Sequence, residues 1–229
     1  MLNSIFASFS DSIYYAFLKD SRYTMLIDGL WVSLAITLMA VVLGVIIGLF
    51  LSICKISKTR ILAPFADGYI AVIRGTPVVV QLTFIYFVVF ANAGGLPTIV
   101  VAGIAFGINC GAYVAEIIRA GIQAVPKGQM EAARSLGMSY GKAMRHVIIP
   151  QAVKNILPAL GNEFIVLLKE TSVAGYIALN DLNRGALQIR NITYDAFTPL
   201  IAAAYLYFLL TAGLSAIQRQ VERRLSQSD

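Results

Sequence analysis

Five stretches of this chain are long and apolar enough to suit lipid better than water, although Asp67, Arg74 and two prolines interrupt the second and Lys169 and Glu170 break the fourth. Residues 26–54, 61–91, 96–118, 156–179 and 196–217 are mostly apolar, and each reaches the ~20 residues that cross a bilayer as a helix. None shows the alternation of a barrel strand. Composition excludes the alternatives. Of 229 residues, 58% are hydrophobic and only 13% charged, where a soluble domain carries about 25% charged residues. A soluble enzyme and a disordered chain are both excluded. The two cysteines, Cys54 and Cys110, sit inside apolar runs, so they read as small packing residues rather than a disulfide framework. The expected fold is an all-α membrane protein with five transmembrane helices and its termini on opposite sides.

Lysine and arginine set the orientation. Lys55, Lys58, Arg60, Arg119, Lys127, Arg134, Lys142, Arg145, Lys154, Arg219, Arg223 and Arg224 fall on one side. Lys19, Arg22, Lys169, Arg184 and Arg190 fall on the other, and Arg74 stays inside the second run. Twelve against five places the first group in the cytoplasm. The N-terminus is then outside and the C-terminus cytoplasmic. The net charge of +6 therefore reflects the membrane, not nucleic acid.

Residues 1–23 lack the basic start and compact apolar run of a signal peptide. Ile5, Phe9, Ile13 and Phe17 recur every four residues, with Ser8, Ser10, Asp11 and Ser12 between them. The spacing predicts an amphipathic helix, lying at the membrane surface or packed on the bundle. Residues 24–218 form the transmembrane domain, and 219–229 a cytoplasmic tail. Gly44 with Gly48, and Gly103 with Gly107 and Gly111, are small residues four apart, a spacing that lets helix backbones approach closely.

The cytoplasmic segment 125–150 is more than a connection needs. Glu131, Ala132 and Ala133 lie in a helix-forming run that Gly137 interrupts. Ser139 is placed to cap a second short helix, which Pro150 is expected to end. Two short helices joined at a bend form an element that docks something. Glu131-Ala132-Ala133, three residues, Gly137, then Val147 and Ile149 before Pro150 resembles the EAA loop of ABC-importer permeases.

Further blocks resemble the polar amino acid branch of that family, the histidine-, arginine- and glutamine-type importers. They are Val72-Ile73-Arg74-Gly75-Thr76-Pro77 with Gln81, then Ala115-Glu116-Ile117-Ile118-Arg119-Ala120-Gly121. Asn162-Glu163-Phe164 and Leu168-Lys169-Glu170-Thr171-Ser172 complete the set. The resemblance covers residues 26–218. It implies a type I ABC-importer permease fold and a second permease subunit, identical or homologous. It also implies two cytoplasmic ATPase subunits docked on the EAA loop and an extracytoplasmic amino acid binding protein. ATP and Mg would belong to the ATPase: no GxxxxGK[ST] phosphate loop is present, and neither catalytic residues nor a cofactor are expected in this chain. An ion-coupled secondary amino acid transporter is the alternative, and a structural membrane subunit a further one.

Charges inside spans face a partner or a path. Asp67, Arg74 and Glu116 read equally as structural pairs or substrate contacts. Glu163, beside Asn162 and beyond Pro158, has no basic residue within one turn in sequence and reads equally as a contact for a substrate ammonium or as a packing or pairing residue. Gly75 and Pro77 predict a broken helix, whose restart at Thr76 would favour a carboxylate. The expected substrate-binding set is Glu163, Asn162, Thr76, Arg74, Gln81, Glu116, Thr171 and Ser172. The expected coupling set is Glu131, Ala132, Ala133, Gly137 and Pro150. His146, the one histidine, has no Cys or carboxylate cluster near it in sequence, so no metal site is expected.

Overall fold

A computed structural model describes residues 11–56, 61–92 and 95–226. Ile5, Phe9, Ser8 and Ser10 of the N-terminal pattern, and Lys58 and Arg60, lie outside the described residues. Every regular element among those described is helical. They are α1 (Tyr23–Ile56), α2 (Leu62–Gly75), α3 (Val78–Phe84, continued by a π turn Ile85–Val89) and α4 (Thr98–Gln123). Next come α5 (Lys127–Ser135), α6 (Tyr140–Ala143, continued by a π turn Met144–Ile148) and α7 (Ile149–Glu170). A 3-10 turn (Thr171–Ile177) leads to α8 (Leu182–Thr193) and α9 (Phe197–Ser226).

Three of these helices are long and apolar enough to cross a membrane: α1, α4 and α9. Helices α2 and α3 meet that test only as a pair, joined across a break. The expected fifth span, α7, does not meet it. Lys154, Glu163, Lys169 and Glu170 lower its hydropathy, and it ends at Glu170 instead of running to residue 179. Lys169 and Glu170 therefore sit in its last turn and do not interrupt a longer span.

The chain divides into two compact units. One comprises Met1–Met39, Val78–Phe106 and Leu167–Gly213. Its core gathers Leu26 of α1, Leu182, Ala186 and Ile189 of α8, Ala203 of α9, and Ala16. The described part of the N-terminal segment thus packs on this unit through Ala16 and Phe17. It does not run straight into α1. Asp20 and Ser21 have positive φ values of 54° and 52°, and the Arg22 guanidinium ties the corner by donating to the Tyr15 carbonyl (2.7 Å) and to Asp20 (2.8 Å). Gly29 of α1 packs on the start of α8 so closely that an added Cβ would lie 2.5 Å from the Asp181 carbonyl oxygen.

The other unit comprises Ala40–Pro77, Gly107–Val166 and Leu214–Asp229. Here the glycine spacing has the predicted effect. A Cβ on Gly44 would fall 2.5 Å from Cys110 Sγ, and one on Gly111 2.5 Å from Ile47 Cγ2. Both cysteines are buried core thiols. Leu51 and Cys54 of α1, Ala66 and Ile70 of α2, and Ala112 and Ala115 of α4 form one cluster. Val125, Ile148 and Ala152 form a second, which seats the α5–α6 hairpin on the start of α7.

Pro150 does not end the second short helix. The helical path continues through the Met144–Ile148 π turn into α7, and Pro150 is its second residue. A proline lacks its N–H and crowds the carbonyl four residues back. The widened π turn directly before it relieves that crowding.

Candidate functional site

Within the second unit, five charged side chains converge where α1, α2 and α4 pack. Lys55, in the last turn of α1, places Nζ 2.8 Å from Asp67 Oδ1 and 2.7 Å from Glu116 Oε1. Glu116 Oε2 accepts two bonds from Arg119, 2.9 Å from Nε and 2.7 Å from Nη2. Arg74 Nη1 stands 4.0 Å from the same oxygen, with its guanidinium 5.2 Å from the Tyr113 ring centroid. Lys55 and Glu116 are each only 18% exposed, and charges so shielded persist only when partnered. Sequence reasoning anticipated Arg74 with Glu116 and overlooked Lys55, which it placed outside the span. Asp67 and Glu116 outnumber Arg74 within the apolar runs, so a second cation had to come from a span end, and that was the available signal.

Glu116 is therefore saturated by cations and does not offer a carboxylate to a substrate. Thr76 is exposed, extended (φ −121°, ψ 145°) and donates its hydroxyl to the Val72 carbonyl at 2.9 Å. The break predicted at Gly75–Pro77 is present: α2 stops at Gly75 and α3 begins at Val78. Asn162 is exposed on α7, and Glu163 beside it is half-buried. Glu163 is not isolated; it interacts with another group of the protein.

The remaining expected residues belong to the first unit. Gln81 is buried on α3, and α3 packs against the Thr171–Ile177 turn. Thr171 is buried and donates its hydroxyl to the Leu168 carbonyl at 2.7 Å. Ser172 lines a cavity of about 280 Å³ with Tyr176, Asp181, Asn183 and Arg184. Arg184 is half-buried and donates to the Gly175 carbonyl at 2.6 Å. Asp181 has 0% exposure and caps α8, accepting from the backbone N–H groups of Asn183 (3.0 Å) and Arg184 (3.4 Å). Burial pushes its carboxyl up to about 6, against the opposing pull of those two bonds and of the Arg184 charge.

The α5–α6 hairpin is built as its sequence indicates. Gly137 adopts φ +82°, a left-handed conformation that glycine takes without strain. The Ser139 side chain accepts from Lys142 N–H and starts α6. Glu131 and Ala132 are exposed, whereas Ala133 is buried. Ala133 thus packs inward and is not part of the outer face. Sequence reasoning missed Leu136, 84% exposed at the end of α5 beside Gly137.

This arrangement has close counterparts. Residues 40–227 match the family described as "Binding-protein-dependent transport system inner membrane component". The arginine transport system permease protein ArtQ of Bacillus subtilis (strain 168) is 43% identical, over 89% of this chain and 94% of that protein. The putative glutamine transport system permease protein GlnP of Rickettsia bellii (strain RML369-C) is 42% identical, with the same coverage of each. A solved structure described as "Crystal structure of an amino acid ABC transporter with histidines" superposes with a TM-score of 0.85 at 50% identity, over 91% of this chain and 98% of that one. The MetNI methionine ABC transporter, at 20% identity and a TM-score of 0.75 over 88% and 96%, shares the fold.

Proposed function

The chain belongs to the binding-protein-dependent transport system inner membrane component family, and from that premise we propose how it works. As a multi-pass inner-membrane permease component of an ABC amino acid importer, it is not itself catalytic. A second permease subunit completes the translocation path. Two cytoplasmic ATPase subunits drive it, and an extracytoplasmic binding protein delivers the substrate. The α5–α6 hairpin carries this reading: Glu131, Ala132 and Leu136 form an exposed face around the Gly137 bend. ATPase closure moves that face, and the apolar seat of Val125, Ile148 and Ala152 passes the motion into α7.

The α2–α3 pair and α7 complete five crossings, with the N-terminus outside and residues 219–229 in the cytoplasm. Cysteines at Tyr194, 94% exposed, and at Arg223 test the topology in intact cells. Labelling of position 194 from outside, and of 223 only after permeabilisation, supports it. The reverse pattern overturns it.

The substrate is a polar, basic amino acid. The support is the likeness to an arginine permease and the acidic Glu163 beside the exposed Asn162. Glu163 receives the ammonium or guanidinium, with Asn162 and Thr76 as further polar contacts. Uptake by the reconstituted complex with a panel of amino acids is the test. Glu163→Gln removes the charge and keeps the shape. Cationic uptake should weaken by about one to two decades, as loss of a charge-assisted hydrogen bond implies, while basal ATP hydrolysis persists. Unchanged uptake of every amino acid would make Glu163 a packing residue.

A further inference from the structure

Within the second unit, α1, α4 and the first half of α7 do not close fully on one another. They leave a trough of about 430 Å³, walled by Leu49 and Ile53 of α1, Val114 and Ile118 of α4, and Val153 and Leu157 of α7. The wall is apolar but for Ser52, whose hydroxyl donates to the carbonyls of Gly48 (2.7 Å) and Ala115 (3.3 Å). Water finds too few polar partners to settle in such a space, so its occupant is hydrocarbon. Shape decides which kind. The trough follows α1 from Val45 to Ile53, about 12 Å of helix rise. Over that length its volume gives a mean cross-section of roughly 35 Å², whereas a helix 10 Å across needs about 80 Å². An acyl chain fits there, and a helix of a second permease copy does not.

One end of the trough carries charge of a single sign. Met144 lines it where the α5–α6 hairpin runs on into α7. Arg145 follows, exposed, one turn ahead of Ile149, and Lys142 is exposed one turn before Arg145. Between Glu131 and Glu163 the chain holds no acidic residue to offset them. On the neighbouring helices Lys55, Glu116 and Arg119 pair with one another and add no net negative charge.

We propose that the trough seats one acyl chain of an anionic phospholipid, with the lipid phosphate against Lys142 and Arg145. Basic residues beside a membrane span attract anionic headgroups, and the apolar wall takes the chain. A zwitterionic lipid brings the same chain without the net charge, so the basic end supplies the selectivity. Met144, Ala152 and Ile156 line the trough and also belong to the cluster that seats the hairpin on α7. A chain lying there packs on that seat and stiffens it. The lipid site itself does not depend on which amino acid is carried.

The test uses the purified permease–ATPase complex in vesicles of phosphatidylcholine doped with phosphatidylglycerol of the same acyl chains. After transfer to detergent, native mass spectrometry counts the lipids that stay bound. The wild type should retain phosphatidylglycerol over phosphatidylcholine by fivefold or more relative to the mixture. The double variant Lys142→Gln with Arg145→Gln should bring that preference within twofold of the mixture. Val153→Trp, which fills the trough, should lower retention of both lipids at least fivefold, and Leu49→Phe serves if that variant fails to assemble. Retention by the wild type in proportion to the mixture overturns the anionic assignment. Undiminished retention in both filling variants overturns the trough as the seat. Disulfide cross-linking between permease copies through a cysteine at position 153, with no lipid retained, would place a second copy there and overturn the proposal. No transport is read, so failure of the amino acid reading would leave this result standing.

Discussion

Lys55 Nζ lies 2.7 Å from Glu116 Oε1, joining residues 61 apart in sequence at the junction of α1 and α4. Both side chains are largely shielded, and the opposite oxygen of Glu116 is held by Arg119. Removing one partner leaves the others uncompensated, which costs more than the pair itself contributes. Glu116→Gln should destabilise the permease by about 1–3 kcal/mol, and Lys55→Met likewise. A double-mutant cycle in denaturant unfolding should return a coupling of at least ~0.5 kcal/mol. Strict additivity would show that the two do not interact.

Asp181 predicts a pH effect on stability. Its carboxyl titrates near 6 when folded, against about 3.9 in an unfolded chain. Between about pH 4 and 6 the folded state holds a proton that the unfolded state has released, so stability falls as pH rises through that window. The loss amounts to roughly 2–3 kcal/mol above pH 6. Asp181→Asn keeps a cap acceptor and cannot ionise. Melting temperatures at pH 4.5 and 7 should differ less for the variant than for the wild type, and equal slopes would refute the effect.

Gly29 and Gly68 should respond oppositely to alanine. A Cβ at Gly29 meets the Asp181 carbonyl at 2.5 Å, whereas one at Gly68 meets nothing within 4 Å. Gly29→Ala should cost about 1–3 kcal/mol through overpacking. Gly68→Ala should be neutral or stabilise by up to ~1 kcal/mol, because alanine is the better helix former. Melting temperatures of the two variants check both signs.

The hairpin predicts uncoupling without unfolding. Leu136→Asp places a charge on the exposed apolar face, and Gly137→Trp forces a bulky residue into φ +82°. Both should insert in the membrane but lose the ATPase on co-purification, or lose substrate-stimulated ATP hydrolysis by tenfold or more. Wild-type coupling in both variants would remove the hairpin from the coupling role.

Much of this protein was legible in its sequence, because lipid leaves few choices. Runs of apolar residues fix which segments are helices, since every backbone group in a bilayer must be satisfied within its own segment. The break after Gly75, the cap at Ser139, the bend at Gly137 and the close approach of α1 and α4 all follow from local chemistry or i, i+4 spacing. Those effects act over a few residues, so a linear reading reaches them.

What the tertiary structure alone decided was which side chains meet. Nothing local joins Lys55 to Glu116, puts Ala133 inside and Leu136 outside, or buries Asp181 against the backbone of Gly29. Each depends on where a distant helix packs, and packing is set by shape over the whole fold. The same holds for Pro150. Its chemistry favours a helix end, but the π turn ahead of it and the apolar seat of Val125, Ile148 and Ala152 outweigh that preference. Sequence therefore determined the elements and the family, and tertiary packing determined which of the charged side chains meet, as Lys55, Asp67, Arg74, Glu116 and Arg119 do.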